Sequence, residues 1–193
     1  KDILISIEKN PSDKLYHFKL PKQGLPLNGG SDRIRLYWDT KYNPQNVFTW
    51  AFNQILRYFA FAFRKVQQWL RLYRSVPFET YCGSLWFNLS REAVSYILEF
   101  TKQNSWYIRR FKFTRCADEI FFHTILLGFN YHLKHRIVNN DMRYIDWVTG
   151  PEYPRTFRLS DYERCVNSGK YFGRKFDEDV DADVIKKVLA HFE

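Results

Sequence analysis

The spacing of apolar residues changes along the chain, and this change predicts alternating strands and helices. A strand is predicted at 3–7, and a Pro- and Gly-rich break follows at 25–30. Residues 33–38 alternate basic and apolar side chains, which predicts a half-buried strand. From position 47 the spacing becomes i, i+3, i+4, so an amphipathic helix is expected over 47–74.

The predicted helix 47–74 has two chemically different faces. One is apolar and aromatic, with Phe52, Ile55, Leu56, Phe59, Phe63, Val66, Leu70 and Tyr73. The other is basic, with Arg57, Arg64, Lys65, Arg71 and Arg74. The simpler interpretation is that the apolar face is core, and the alternative is a basic amphipathic helix on an anionic membrane surface.

The rest of the chain continues the alternation. A buried strand is predicted at 81–87, and helices are predicted to begin at Ser90, Asp118, Ser160 and Asp181. Ser90 is an N-cap residue, the helix at Asp118 ends at Gly128, and Ser160 has capping-box spacing to Glu163. Because no internal repeat or linker interrupts it, residues 1–193 are predicted to form a single α/β domain.

Composition narrows the classes of function. The 193 residues are 45% hydrophobic, which excludes disorder, and no 18-residue apolar run exists for a membrane span. Three cysteines give no disulfide framework or zinc spacing. The net charge of +9 predicts an anionic partner, either lipid or phosphate. Nucleic acid is less favoured, because no binding motif accompanies the charge.

Motifs for several chemistries are missing. There is no P-loop, no GxGxxG and no GxSxG sequence. His132 and His135 have no carboxylate at metal spacing, and the acidic run 177–183 lacks the Gly and Glu of a calcium loop. We therefore expect no metal site.

Two clusters are candidates for chemistry. Asp118-Glu119 opens a helix beside aromatic residues, where the helix dipole favours an ionised carboxylate suited to a general base. Ordinary helix capping is the alternative. Lys175, in the segment 173–177, and the upstream Arg155 and Arg158 could neutralise a diphosphate, although solvated surface charge would give the same pattern.

Five segments, in this order, resemble the core-2/I-branching glycosyltransferases, glycosyltransferase family 14. They are Tyr81-Cys82-Gly83-Ser84-Leu85-Trp86-Phe87-Asn88-Leu89-Ser90-Arg91-Glu92-Ala93-Val94, Ala117-Asp118-Glu119-Ile120-Phe121-Phe122-His123-Thr124-Ile125-Leu126, Met142-Arg143-Tyr144-Ile145-Asp146-Trp147, Pro154-Arg155-Thr156-Phe157 and Ser168-Gly169-Lys170-Tyr171-Phe172-Gly173-Arg174-Lys175-Phe176-Asp177. The resemblance covers residues 81–183 and fades upstream of residue 80.

The resemblance implies an inverting transfer of N-acetylglucosamine or xylose from a UDP-sugar to an acceptor hydroxyl. It implies a GT-A-like variant with a mixed sheet flanked by helices, and no metal or other cofactor. Glu119 resembles the catalytic base and Lys175 the diphosphate ligand, with Arg155 as first and Arg158 as second choice beside it. Trp147 resembles an acceptor-contacting aromatic, although a core Trp is equally expected.

Weaker expectations concern the acceptor, the part of the family domain that is present and the cellular location. Arg33 and Arg35 are candidates for a carbohydrate or lipid-linked acceptor. The family's N-terminal nucleotide-binding half is not recognisable, so the chain is expected to be the C-terminal part of the family domain. Missing disulfides and a missing anchor favour a bacterial cytoplasm, at the inner face of the membrane, or the Golgi lumen if an anchor was removed. A non-catalytic relative is the remaining alternative.

Overall fold

A computed structural model describes residues 12–38 and 47–191, without the side chains of 47–54 and 57. In chain order its elements are β1 (His17–Lys19), α1 (Asp32–Arg35), α2 (Val47–Trp69), β2 (Tyr81–Gly83), α3 (Arg91–Gln103), α4 (Ser105–Phe111), α5 (Asp118–Gly128), β3 (Arg143–Ile145), α6 (Tyr162–Val166), β4 (Phe172–Arg174) and α7 (Glu178–His191). Short helical turns at Pro26–Gly29, Lys134–Arg136 and Leu159–Asp161 connect them. The strand predicted at 3–7 lies outside the described residues.

The described part of the chain is mixed α/β, with two small sheets where one mixed sheet was expected. β1 pairs antiparallel with β2, and β3 pairs parallel with β4. The strand predicted at 81–87 ends at Gly83, because the chain turns where Trp86 N–H donates to Ser84 Oγ at 3.2 Å.

The main core forms around α5, whose sequence is apolar on nearly all sides. Ile120, Ile125 and Leu126 are completely buried against α3, α4 and β2. The buried Tyr107 O–H donates to the Phe121 carbonyl at 2.8 Å, which satisfies the one polar group that this aromatic side chain brings into the core. The first turn of α5 is thereby fixed in place.

Gly83 permits unusually close packing between β1, β2 and α5. A Cβ atom at this position would lie 1.8 Å from the Tyr16 carbonyl oxygen and 2.7 Å from His123 Nε2. Any larger residue would therefore push β2 away from both neighbours. The glycine is required by this contact and not by its backbone angles.

Helix starts follow the predicted caps with one exception. Ser90 Oγ accepts the Ala93 N–H at 3.2 Å, and α5 spans Asp118–Gly128 as predicted. Asp181 lies at a kink within α7 and accepts the Val184 N–H at 3.1 Å, so it caps the rest of that helix. The capping predicted for Ser160 is wrong: the carboxylate of Asp161 accepts the Arg158 N–H at 3.0 Å instead.

The strand predicted at 33–38 is wrong, because the backbone closes local hydrogen bonds in α1. The Arg35 and Leu36 N–H groups donate to residues 31 and 32 at 3.1 Å each. Ile34 and Leu36 are nevertheless buried, as the alternation predicted. On a strand Arg33 and Arg35 would share one face, but two residues apart on a helix they point to different sides.

α2 confirms the helix predicted over 47–74 as far as Trp69, but the prediction that its apolar face is core is wrong. Its C-terminal end contacts the protein through amides: Gln67 Oε1 accepts the Tyr37 N–H at 3.3 Å, and Gln68 donates to Asp32 at 3.1 Å. The apolar side chains described on that face are exposed: Ile55, Leu56, Phe59, Phe63, Val66 and Leu70. The Phe52 side chain is outside the described part. No described helix is sufficiently long and apolar to cross a bilayer.

A second, smaller core supports the β3–β4 pair. Phe157 is completely buried, stacks on Tyr144 at 5.4 Å between centroids and meets Phe176 edge-on at 5.2 Å. The Phe157 N–H donates to the Lys175 carbonyl at 2.8 Å. The segment after β4 is thereby held beside residues 155–157.

Candidate active site

Glu119, the predicted base, lies in the first turn of α5 and is paired with Arg33. Its Oε2 accepts from Arg33 Nη2 at 2.8 Å. The Glu119 side chain is 37% exposed and that of Arg33 only 14%. The Glu119 N–H donates to the Cys116 carbonyl and to Asp118, at 3.2 Å each, and no described side chain caps the start of α5. Helix capping therefore does not account for the Glu119 carboxylate.

Arg33 is fixed by contacts on several sides of its guanidinium. It donates to the Arg115 carbonyl at 3.2 Å, the Cys116 carbonyl at 2.9 Å and Cys82 Sγ at 3.3 Å. Burial disfavours its charge, but the nearby Cys82 and Glu119 raise the pKa of Arg33 above its usual value. A permanently charged, immobile partner orients Glu119 and leaves part of its carboxylate open to solvent. The contact predicted between Arg33 and an acceptor remains a prediction.

The predicted diphosphate ligands Lys175 and Arg155 are neighbours in the second core. Lys175 N–H donates to the Arg155 carbonyl at 3.4 Å. The Lys175 side chain is 50% exposed, and its nearest carboxylate, on Asp177, is 3.7 Å away. Lys175 is thus available to an anionic ligand.

The two candidate arginines differ from Lys175 because both are committed to protein groups. Arg155 Nε donates to Asp161 at 2.9 Å, and its Nη1 donates to the Gly150 carbonyl. Arg158 pairs with Glu152 at 3.1 Å. Burial alone would raise the pKa of Asp161, but the hydrogen bonds from Arg155 and its neighbours lower it. Arg155 therefore holds the loop through its Nε and Nη1 atoms.

Trp147 is an exposed side chain beside this cation cluster. It is 58% exposed, so the core interpretation is wrong. The preceding Asp146 is buried and accepts the N–H groups of Val148 and Thr149 at 2.8 and 2.9 Å. The Asp146 carbonyl accepts the Arg155 N–H at 2.8 Å. The loop thus presents an indole to solvent next to Arg155.

Comparison with known proteins assigns the chain to a family. A family model described as Core-2/I-Branching enzyme matches residues 35–168, well over half of the chain. The chain belongs to the core-2/I-branching family of glycosyltransferases. Glu119, Arg155, Arg158 and Trp147 lie within the matched residues, whereas Arg33 and Lys175 lie just outside them.

Two curated relatives of this family member come from Arabidopsis thaliana. Beta-glucuronosyltransferase GlcAT14A is 31% identical over 115 residues, which are 56% of this chain and 25% of the relative. Beta-glucuronosyltransferase GlcAT14B is 30% identical over 118 residues, which are 58% of this chain and 26% of the relative. The chain therefore spans about a quarter of the length of each relative. No solved structure matches it significantly.

Arg35 lies away from the other candidates of this core-2/I-branching domain. Its guanidinium is 4.4 Å from the Tyr73 ring centroid. Both line a cleft of about 470 Å³ with Arg74 and Glu79. The Glu79 carboxylate in this cleft is paired with Lys19, so it is not a free base. Arg35 and Glu119 therefore have separate partners.

The segment that begins with β2 connects the Arg33–Glu119 pair with the cation cluster. Cys82 contacts Arg33, and four residues later the Trp86 ring lies 5.5 Å from the Arg174 guanidinium, next to Lys175. Four residues span at most about 14 Å. The sequence did not single out Trp86 or Arg174, because only the folded chain brings them together. In the described ranges, no group of three His, Cys, Asp or Glu side chains could hold a metal ion.

Proposed function

We propose that this chain carries the acceptor-activating and diphosphate-binding part of an inverting, metal-independent glycosyltransferase that uses a UDP-sugar. The observation that supports it most is the Glu119 carboxylate, held at 2.8 Å by a fixed Arg33 and still 37% exposed. A base must be both oriented and open to its substrate, and Glu119 meets both conditions. Family membership supplies the reaction class.

The proposed step needs one base and one electrophilic group. Glu119 removes the acceptor hydroxyl proton while the acceptor oxygen bonds to the anomeric carbon. The bond from that carbon to the UDP oxygen breaks, and its electron pair leaves with the diphosphate. Lys175 and Arg155 stabilise this charge, as a metal ion otherwise would. Attack opposite the leaving group inverts the configuration.

The donor sugar is the least constrained part of the proposal. The family resemblance implies N-acetylglucosamine or xylose, whereas both curated relatives are named as glucuronosyltransferases. We take UDP-glucuronate as the first donor to test and keep the other two as alternatives. Exposed Trp147 suits an acceptor sugar, because an indole packs against the C–H face of a pyranose.

The decisive assay offers the chain UDP-glucuronate, UDP-N-acetylglucosamine and UDP-xylose with an oligosaccharide acceptor, with and without EDTA. We expect transfer from one donor at a rate that EDTA does not change. Transfer that requires Mg²⁺ or Mn²⁺ would contradict the metal-independent mechanism. UDP binding without transfer would favour a non-catalytic relative.

A lysine variant tests the diphosphate assignment separately. Lys175→Ala should weaken UDP binding about 10- to 100-fold, the value of one charge-assisted hydrogen bond. Lys186→Ala, which removes an exposed lysine paired with Asp183 in α7, is the matched control and should bind UDP normally. Equal UDP affinity of the Lys175→Ala and Lys186→Ala proteins would remove Lys175 from the site.

A second function, contact with an anionic membrane surface, is favoured by the exposed apolar face of α2. Phe59 is 65% and Trp69 81% exposed, and residues 47–74 contain five cations and no acidic residue. A lipid-linked acceptor would unite this surface with the proposed reaction. Vesicles that contain phosphatidylserine should co-sediment the chain at low salt, and Phe59→Ser should weaken binding. Equal binding to phosphatidylcholine vesicles at high salt would contradict the electrostatic part.

A further inference from the structure

Two arginines that form no ion pair in the described part of the chain lie against one indole, on the segment that follows β2. The guanidinium carbons of Arg143 and Arg174 are 5.3 and 5.5 Å from the Trp86 ring centroid. The Arg143 guanidinium also lies 4.8 Å from the Phe172 ring. Trp86 is 47% and Phe172 43% exposed, so the cluster faces solvent.

The pairing of β3 and β4 explains why the two arginines share a face. In the parallel register Arg143 is opposite Phe172, and Ile145 is opposite Arg174. Since side chains alternate along a strand, these residues project to one side of the pair. The intervening Tyr144 points the other way and stacks on the buried Phe157. Arg143 and Arg174 are therefore on the outer face.

Neither guanidinium has a carboxylate partner in the part of the chain that the structure describes. The other arginines near the site are paired with acids, as Arg155 is with Asp161 and Arg158 with Glu152. The Arg143 guanidinium donates to the Asp141 carbonyl at 2.7 Å, and burial lowers its pKa although the Asp141 carboxylate, which accepts the Arg143 backbone N–H, acts in the opposite direction. Two like charges at one ring repel each other unless an anion lies between them. The arrangement thus favours an anionic ligand.

We propose that Arg143 and Arg174 bind the carboxylate of a uronic acid, the donor sugar of the reaction proposed above, and so select an anionic sugar. The inference rests on that proposed function. Arg174 immediately precedes Lys175, the proposed diphosphate ligand, so the two side chains leave the backbone within about 4 Å of each other. Arginine binds carboxylates through parallel N–H donors, and the Trp86 and Phe172 rings hold the two guanidiniums in place. The diphosphate itself remains with Lys175.

The test compares dissociation constants for UDP, UDP-glucose and UDP-glucuronate by calorimetry. UDP-glucose is the matched ligand, because it differs from UDP-glucuronate only in the carboxylate. The chain should bind UDP-glucuronate at least about 10-fold more tightly than UDP-glucose. In Arg143→Gln and in Arg174→Gln this preference should fall to about 2-fold or less, with the UDP affinity unchanged. Arg109→Gln, at an exposed arginine of α4 that contacts Ser105, should keep the preference.

The outcomes separate the two proposals. Equal affinity of the unaltered chain for UDP-glucose and UDP-glucuronate overturns the carboxylate assignment and leaves the proposed transfer intact. A parallel loss of UDP affinity in both arginine variants also overturns it, because the guanidiniums would then bind the diphosphate. Failure to bind UDP at all overturns the proposed function and this inference together. Thermal melting of each variant establishes that it is folded.

Discussion

The protonation of His123 should control how firmly α5 packs on β2. His123 is completely buried, and neither ring nitrogen has a hydrogen-bond partner among the described residues. Burial, together with the nearby His17, lowers the pKa of His123 from 6.5 to about 4, against the smaller opposing effect of the Tyr16 and Ser84 backbone groups, which lie near the ring without a well-aligned hydrogen bond. The unfolded chain therefore binds a proton more readily than the folded one below pH 6.5. The stabilising effect of neutral His123 is complete above that pH and is lost as the pH falls toward 4.

The size of this effect follows from the pKa difference. A lowering of 2.5 units corresponds to about 3.4 kcal/mol in full, and about 2 kcal/mol of it should be lost between pH 7.5 and pH 5. Urea unfolding followed by tryptophan fluorescence at the two pH values measures the loss. The His123→Gln protein should have nearly the same free energy of unfolding at both pH values. The control His135→Gln, at an exposed position, should lose stability as the unaltered chain does. An equal loss in the His123→Gln protein would refute the reasoning.

Three smaller predictions concern stability. Gly83→Ala should lower the free energy of unfolding by about 1–3 kcal/mol or more, because the new Cβ atom meets the Tyr16 carbonyl oxygen. An unchanged free energy in urea unfolding would contradict the close packing. Ser90→Ala removes the α3 cap and should cost about 1 kcal/mol, whereas Ser105→Ala, where no side-chain cap exists, should cost less. Hydrogen bonds from Thr149 and Val148 lower the pKa of Asp146 to about 2. The stabilising effect of the Asp146 carboxylate is present above pH 4 and is lost as the pH falls toward 2. The melting temperature of the Asp146→Asn protein should therefore fall less over that range than that of the unaltered chain.

The sequence predicted the helices well where local chemistry decides them. α5 begins at Asp118 and ends at Gly128, and Ser90 caps α3, because caps and apolar runs act over a few residues. The strand expected at 33–38 failed because alternation of burial does not specify a backbone. Ile34 and Leu36 are buried from a helical turn and the residue that follows it. A short alternating segment is compatible with either structure.

The sequence supplied candidate residues for the site but not the contacts that hold them. The motif resemblance identified Glu119, Lys175 and Arg155, and the structure places the last two side by side. That Arg33 holds Glu119 depends on a contact across 86 positions, which no local pattern encodes. The same holds for Trp86 and Arg174, since Trp86 follows β2 and Arg174 ends β4, 88 positions further along the chain.

The central claim is that Glu119 acts as a base and takes no part in nucleotide binding. Turnover and UDP affinity measured side by side in Glu119→Gln test it most directly. Glu92→Gln is the control, because Glu92 occupies the equivalent first-turn position of α3. We predict that Glu119→Gln lowers the transfer rate at least about 100-fold with UDP affinity within about 2-fold of the unaltered chain, and that Glu92→Gln changes neither. Normal transfer by the Glu119→Gln protein would contradict the account.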